Sequence, residues 1–103
     1  MDFDLIVIGA GPSGLCLARA LADTGLRIAL VDQQARAQLA EPAFDGREIA
    51  LTRHSVELLK RMGLWERIAN DERHELRAAR VLNGDATQGM EIEPPGGRSD
   101  RLG

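Results

Sequence analysis

Three things are scarce in this chain of 103 residues: cysteine, basic charge in excess of acid, and any long unbroken apolar run. A single cysteine, Cys16, excludes an internal disulfide and any multi-cysteine metal site. Standing between Leu15 and Leu17 in a helix-forming stretch, it reads as a small buried hydrophobe. With 13 basic residues against 16 acidic ones, the formal charge is −3. The basic patch that nucleic-acid binding requires is therefore missing, and nucleic acid is not an expected partner. The two histidines, His54 and His74, lack the spacing of a metal site or a catalytic triad and read as surface residues. From Leu5 to Ala22 the chain is mostly apolar, and Ala20-Leu21-Ala22 imitates a cleavage site. Gly9, Gly11, Pro12, Gly14 and Arg19 interrupt that run, and Asp2 and Asp4 stand where an export signal carries Lys or Arg. A cytoplasmic location is expected. Internal repeats are also absent.

What is present is concentrated at the start. Asp4-Leu5-Ile6-Val7-Ile8 is an apolar strand that feeds Gly9-Ala10-Gly11-Pro12-Ser13-Gly14, a Gly-x-Gly-x-x-Gly turn, and then a helix. Each glycine solves its own steric problem. Gly9 permits the tight turn, Gly11 lets the backbone approach a pyrophosphate, and Gly14 lets the helix pack closely on the strand. Pro12 has φ preset for a first helical turn and lacks an N–H that would go unpaired there. The helix start, including Ser13, aims free N–H groups and the positive end of its dipole at a phosphate. A helix-forming mixture runs from Leu15 to Thr24, with Gly25 as its terminator. Arg27-Ile28-Ala29-Leu30-Val31 reads as a second strand that ends at Asp32, with Gln33 next to it. Asp32 lies close to the spacing of roughly 20 residues at which a carboxylate accepts from the adenosine ribose hydroxyls. Its charge repels a ribose 2′-phosphate, which favours FAD or NAD over NADP.

Beyond Asp32 the signals weaken. Gln33 to Gly46 has no sustained period and contains Pro42 and the turn pair Asp45-Gly46, so it reads as a loop. Leu51, Ser55, Leu58, Leu59 and Met62 fall at helical spacing, with Thr52 as N-cap and Gly63 at C′. They predict an amphipathic helix of about three turns, with a shorter helical turn after it through Leu64, Trp65 and Ile68. Arg80-Val81-Leu82 and Met90-Glu91-Ile92 flank Asn83-Gly84-Asp85 and read as a hairpin or a pair of edge strands. Pro94-Pro95-Gly96-Gly97-Arg98-Ser99-Asp100 is a breaker run, after which no further element is expected. With 44% apolar residues the chain can bury one small core. The fold class is α/β, a partial Rossmann-like fold made of one βαβ unit, helices and a short hairpin. A doubly wound sheet needs several units of about 30 residues, so this one reads as truncated.

Phe3 to Glu93 resembles the N-terminal part of the FAD-dependent aromatic monooxygenases, most closely the ubiquinone-biosynthesis hydroxylases. Two blocks carry the resemblance: Asp4 to Leu15, shared by many flavoproteins, and the more specific Asp45-Gly46-Arg47-Glu48-Ile49-Ala50-Leu51 with Ser55, Leu58-Leu59, Gly63 and Trp65. The resemblance implies FAD as cofactor and Arg47 as an arginine that approaches it, where a guanidinium offers fixed donors and a permanent charge. Asp32 is shorter than the glutamate common at that place in the family. The full enzymes use a reduced nicotinamide, NADH or NADPH, and oxygen to hydroxylate an electron-rich aromatic ring. The family's later Gly-Asp motif and its substrate sheet have no counterpart here, and Gly84-Asp85 reads as turn chemistry instead. The resemblance thus implies residues 1–77 as the dinucleotide-binding segment and 78–103 as the first substrate-domain strands with a disordered tail, a fragment without turnover of its own. Exposed apolar edges or a compensating homo-oligomer are expected. A long isoprenoid substrate would invite docking at the inner membrane, although no basic amphipathic helix argues for it. Two alternatives stand beside this reading: a non-catalytic dinucleotide-binding or assembly module, and a piece of another FAD-dependent oxidoreductase. The expected cofactor-binding set is Gly9, Gly11, Pro12, Ser13, Gly14, Asp32, Gln33 and Arg47, with no catalytic or metal-binding residue.

Overall fold

The computed structural model of the chain describes residues 2–97 and 99–103, in two compact units, Met1–Arg47 and Glu48–Gly103. Arg98, part of the breaker run, lies outside the described residues.

In the first unit β1 (Leu5–Ile8) and β2 (Ile28–Val31) pair in parallel, Leu5 opposite Ile28 and Ile8 opposite Val31. Parallel strands cannot be joined by a tight turn, and α1 (Pro12–Ala20) supplies the crossover between them. At the open end of the pair, Asp4 Oδ2 accepts from Arg27 N–H at 2.8 Å and from Arg27 Nε at 3.1 Å, while Oδ1 accepts from Nη2 at 3.0 Å. Asp4 N–H returns a bond to Arg27 O at 2.9 Å. The Arg27 side chain, and next its backbone N–H, hold the Asp4 carboxyl below its ordinary value, and Asp4 in turn raises the guanidinium. At the far end Gly9 N–H donates to Val31 O at 2.7 Å.

Side chains alternate along β1. Val7 is buried against α1, whereas Ile6 and Ile8 face the other way, with Ile8 87% exposed. Strands apolar on both faces belong to sheets covered on both sides. Here helix α1 covers one face, and Ile6 and Ile8 stay open to solvent among the described residues.

Two boundaries differ from those the sequence predicts. Helix α1 stops at Ala20 because the Leu21 carbonyl is taken by both the N–H and the hydroxyl of Thr24, which folds residues 21–24 into a turn. Gly25 still provides the exit, at φ +78°. The segment after Asp32 is not all loop. A five-residue helix, α2 (Arg36–Ala40), forms there, with the Gln38 side chain accepting from Ala35 N–H at 3.0 Å in half of a capping box.

In the second unit α3 (Arg53–Arg61) starts at the expected cap, with Thr52 Oγ1 accepting from Ser55 N–H at 3.2 Å. It leaves through Gly63 at φ +69°. Its buried stripe is rotated toward Val56, Leu59 and Met62, and Leu58 is exposed. Trp65–Arg67 is a 3-10 turn, as is Asn70–Glu72, and the Arg73 guanidinium lies 5.0 Å from the Trp65 ring centre. The hairpin is present: β3 (Ala79–Val81) pairs antiparallel with β4 (Met90–Ile92), Arg80 opposite Glu91. Past it, Leu102 N–H donates to Leu76 O at 2.7 Å, and Leu76 N–H donates to Gly103 O at 2.9 Å. These last residues, expected without order, thus carry backbone hydrogen bonds. His54 and His74 are exposed and Cys16 is half-buried, less enclosed than its apolar neighbours suggest. Among the described residues no helix is long and apolar enough to cross a membrane.

Candidate functional site

The glycine turn and the end of β2 meet at one edge of the first unit. Gly9 takes φ +104°, a backbone conformation that side chains disfavour, so the chain can swing from β1 toward α1 within two residues. Gly14 is required for a different reason. A Cβ placed there would stand 2.0 Å from Gly9 O and 3.3 Å from Val7 Cγ1, so the helix lies directly on the turn that precedes it. Gly11 has open space instead, with nothing within 4 Å of a Cβ position. That opening is where a ligand can reach bare backbone.

Helix α1 begins with Gly11 as N-cap and Pro12 in its first turn, and no side chain caps it. The first N–H bonded to the preceding turn is that of Leu15, which donates to Gly11 O at 3.0 Å. Among the described residues, the N–H groups of Gly11, Ser13 and Gly14 have no protein acceptor. Three outward-facing donors at the positive end of a helix, beside an uncovered backbone, suit the oxygens of a diphosphate. The donor set and the opening at Gly11 therefore fit a dinucleotide such as FAD.

Asp32 lies beside this turn. Its Oδ2 accepts from Ala10 N–H at 2.7 Å and its Oδ1 from Gln34 N–H at 2.8 Å. The bond from Gln34, then that from Ala10, with a smaller contribution from Gln33 N–H, hold the carboxyl below its ordinary value. Asp32 is therefore ionised throughout the physiological range. Each oxygen retains a lone pair, so a ribose hydroxyl can still be accepted. Arg47 belongs to the same unit but is engaged elsewhere. Its Nε donates to Asp45 Oδ2 at 2.5 Å and its N–H to Asp45 Oδ1 at 3.0 Å, and its side chain is 83% exposed. Those two bonds, the backbone one first, keep the Asp45 carboxyl below its ordinary value.

The structure thus brings together Gly9, Gly11, Pro12, Ser13, Gly14, Asp32 and Gln33, and leaves Arg47 bonded to its own turn. Two participants escape a reading of the sequence, the backbone N–H groups of Ala10 and Gln34. A backbone donor leaves no mark in residue type. Asp at the first position of a two-residue turn is the one local hint for Gln34.

Comparison with known proteins gives the family of the chain. The FAD binding domain family matches residues 2–100. The ubiquinone hydroxylase UbiM of Neisseria meningitidis serogroup C is 42% identical over 92 residues, covering 89% of this chain and 20% of that protein. The ubiquinone hydroxylase UbiL of Rhodospirillum rubrum is 31% identical over 81 residues, covering 79% of this chain and 19% of its own. The rifampicin monooxygenase of Streptomyces venezuelae is 37% identical over 65 residues, covering 63% of this chain and 13% of its own. The chain spans about a fifth of the length of the two ubiquinone hydroxylases. No solved structure matches it. With the family match running almost end to end, the chain belongs to the FAD binding domain family, and FAD is its cofactor.

Proposed function

We propose that this chain is the adenosine-diphosphate-binding part of a flavin-dependent aromatic hydroxylase of the ubiquinone-hydroxylase type, its βαβ unit being the first unit of a doubly wound sheet. The observation that carries the proposal is the row of free N–H groups on Gly11, Ser13 and Gly14 beside the opening at Gly11. Two ubiquinone hydroxylases that align over most of the chain support the choice of class. The Gly11, Ser13 and Gly14 amides hold the FAD diphosphate, with Pro12 fixing the helix start. Asp32, next to Gln33, accepts from the adenosine ribose, and its charge disfavours a 2′-phosphate. Arg47 leaves Asp45 to meet the cofactor, where a guanidinium provides paired donors.

FAD, when bound, supplies the redox and oxygen chemistry, and the polypeptide supplies placement. The full-length enzyme takes a reduced nicotinamide, oxygen and an aromatic substrate. The residues present here bind and orient one end of the cofactor. In this reading the aromatic ring and the nicotinamide are met by other parts of the full-length enzyme, and turnover is not expected of this stretch by itself.

Titration calorimetry of the purified chain with ADP and with FAD tests the reading. Both ligands should bind, and Gly11→Val should abolish binding by filling the opening. A chain that binds neither, or a Gly11→Val variant with unchanged affinity, refutes the proposal. Binding of ADP without FAD favours a non-catalytic nucleotide module. In a longer chain, oxygen-dependent NADH or NADPH consumption stimulated by a phenol separates a hydroxylase from other flavin oxidoreductases.

A further inference from the structure

Asp32 does more than its place at the end of β2 requires. Its Oδ2 is bonded to the N–H of Ala10 at 2.7 Å, and the same planar peptide unit carries the Gly9 carbonyl. That carbonyl is the group pressed against Gly14, where a Cβ would come within 2.0 Å of it. One rigid plane therefore has its N–H fixed by β2 and its C=O seated against the first turn of α1. Ala10 is itself buried, at 5% exposure, and Gly9 N–H is tied to Val31 O at 2.7 Å, so the plane has little room to rotate. We infer that Asp32 is a positioning residue for the diphosphate cradle: through the Gly9–Ala10 peptide it sets the seat of the α1 N-terminus, and so couples ribose recognition to diphosphate binding. The inference rests on the nucleotide-binding reading above and adds a second role to a residue there assigned to the ribose.

Chemistry explains why a carboxylate is needed. Both oxygens accept from backbone N–H groups, Ala10 on one and Gln34 on the other. An asparagine can satisfy one of them, and in either orientation its NH2 faces the remaining N–H, donor against donor. The low carboxyl value of Asp32 has these same two bonds as its leading causes.

The sign of one effect separates this role from a ribose contact alone. Removing a negative charge beside a site for an anion should, by charge alone, tighten the binding of inorganic pyrophosphate, which has no ribose. Loss of the brace should do the reverse, because a cradle that is competent only part of the time binds more weakly by that fraction. Titration of parent and Asp32→Asn with ADP and with inorganic pyrophosphate decides between them, read on the amide resonances of Gly11, Ser13 and Gly14. The expected result is a loss of about tenfold or more for both ligands, the scale of a lost charge-assisted hydrogen bond. Weaker ADP binding with pyrophosphate unchanged or tightened overturns the inference and leaves the nucleotide reading intact. A parent chain that binds neither ligand removes the nucleotide reading and this inference with it. Should Asp32→Asn not fold, the parent protein still decides: the Ala10 amide proton must shift with a titration below the usual carboxylate range. An Ala10 amide that ignores acid overturns the brace.

Discussion

Replacing Gly14 by alanine and Gly11 by alanine should separate two functions that one motif combines. At Gly14 the added carbon would sit 2.0 Å from Gly9 O, whereas a carbon normally stands about 3.3 Å from a carbonyl oxygen. Helix and turn must part by roughly 1.3 Å, and the blocking atom is backbone, which cannot swing aside. Overpacking costs about 1–3 kcal/mol, and against backbone that cannot yield the upper part of that range, about 2–3 kcal/mol, applies. The intrinsic gain from alanine in a helix, at most about 1 kcal/mol, opposes it and is the smaller term. The net loss is then about 1–2 kcal/mol, against roughly 2–7 kcal/mol available to a unit the size of Met1–Arg47. Far-ultraviolet circular dichroism should show the helical transition of this unit lowered by roughly 10 °C. Gly11→Ala meets nothing within 4 Å and keeps an ordinary φ of −74°, so it should cost only the difference between a glycine and an alanine N-cap, about 0.5–1 kcal/mol, yet reduce ADP affinity. If Gly14→Ala melts with the parent, or if both variants lose stability equally, the assignment of close packing to one glycine and ligand access to the other is wrong.

Other consequences can be measured on the same chain. Thr52→Ala removes the cap on α3 and should cost about 1 kcal/mol, seen as a lower denaturant midpoint in Trp65 fluorescence. Arg47→Ala should leave the thermal midpoint unmoved, since the side chain is 83% exposed, while FAD affinity falls; unchanged FAD affinity would remove Arg47 from the site. Acid should loosen the first unit. Asp4, Asp32 and Asp45 all have carboxyls held below their ordinary value, so the unfolded chain binds protons first. The stability they contribute is complete above about pH 5 and is lost as pH falls through the ordinary and then the lowered values. A circular-dichroism midpoint that stays flat from about pH 5 to pH 2 would contradict this.

What the sequence made legible follows physical strength. The β1, α1 and β2 elements announce themselves through a glycine pattern between apolar runs, and α3 through a threonine cap and a terminal glycine. Each of those signals is local and carried by a side chain or by the lack of one. Helix α2 has no apolar period to display over five residues, and it depends on one glutamine bond back to Ala35, three residues earlier. The early end of α1 turns on Thr24 competing for the Leu21 carbonyl, a choice between two hydrogen-bonding schemes that composition does not rank. At the site the three glycines and Asp32 were readable. The bond from Ala10 was not, because its donor is common to nearly every residue. Arg47 came from family resemblance alone, and its nearest partner proved to be Asp45, two residues away.

A hairpin gets its alignment from its turn, but parallel strands joined by a helix have no such guide. In this protein Asp4 and Arg27 take over that task at the end farthest from the glycine turn. Slipping β2 by a single residue would break their multiple bonds and would bring Ala29 or Val31 beside Val7 in place of Leu30. The alignment of the glycine turn on β2 is thus decided at the opposite end of the strand pair, by two polar side chains that take no part in that turn.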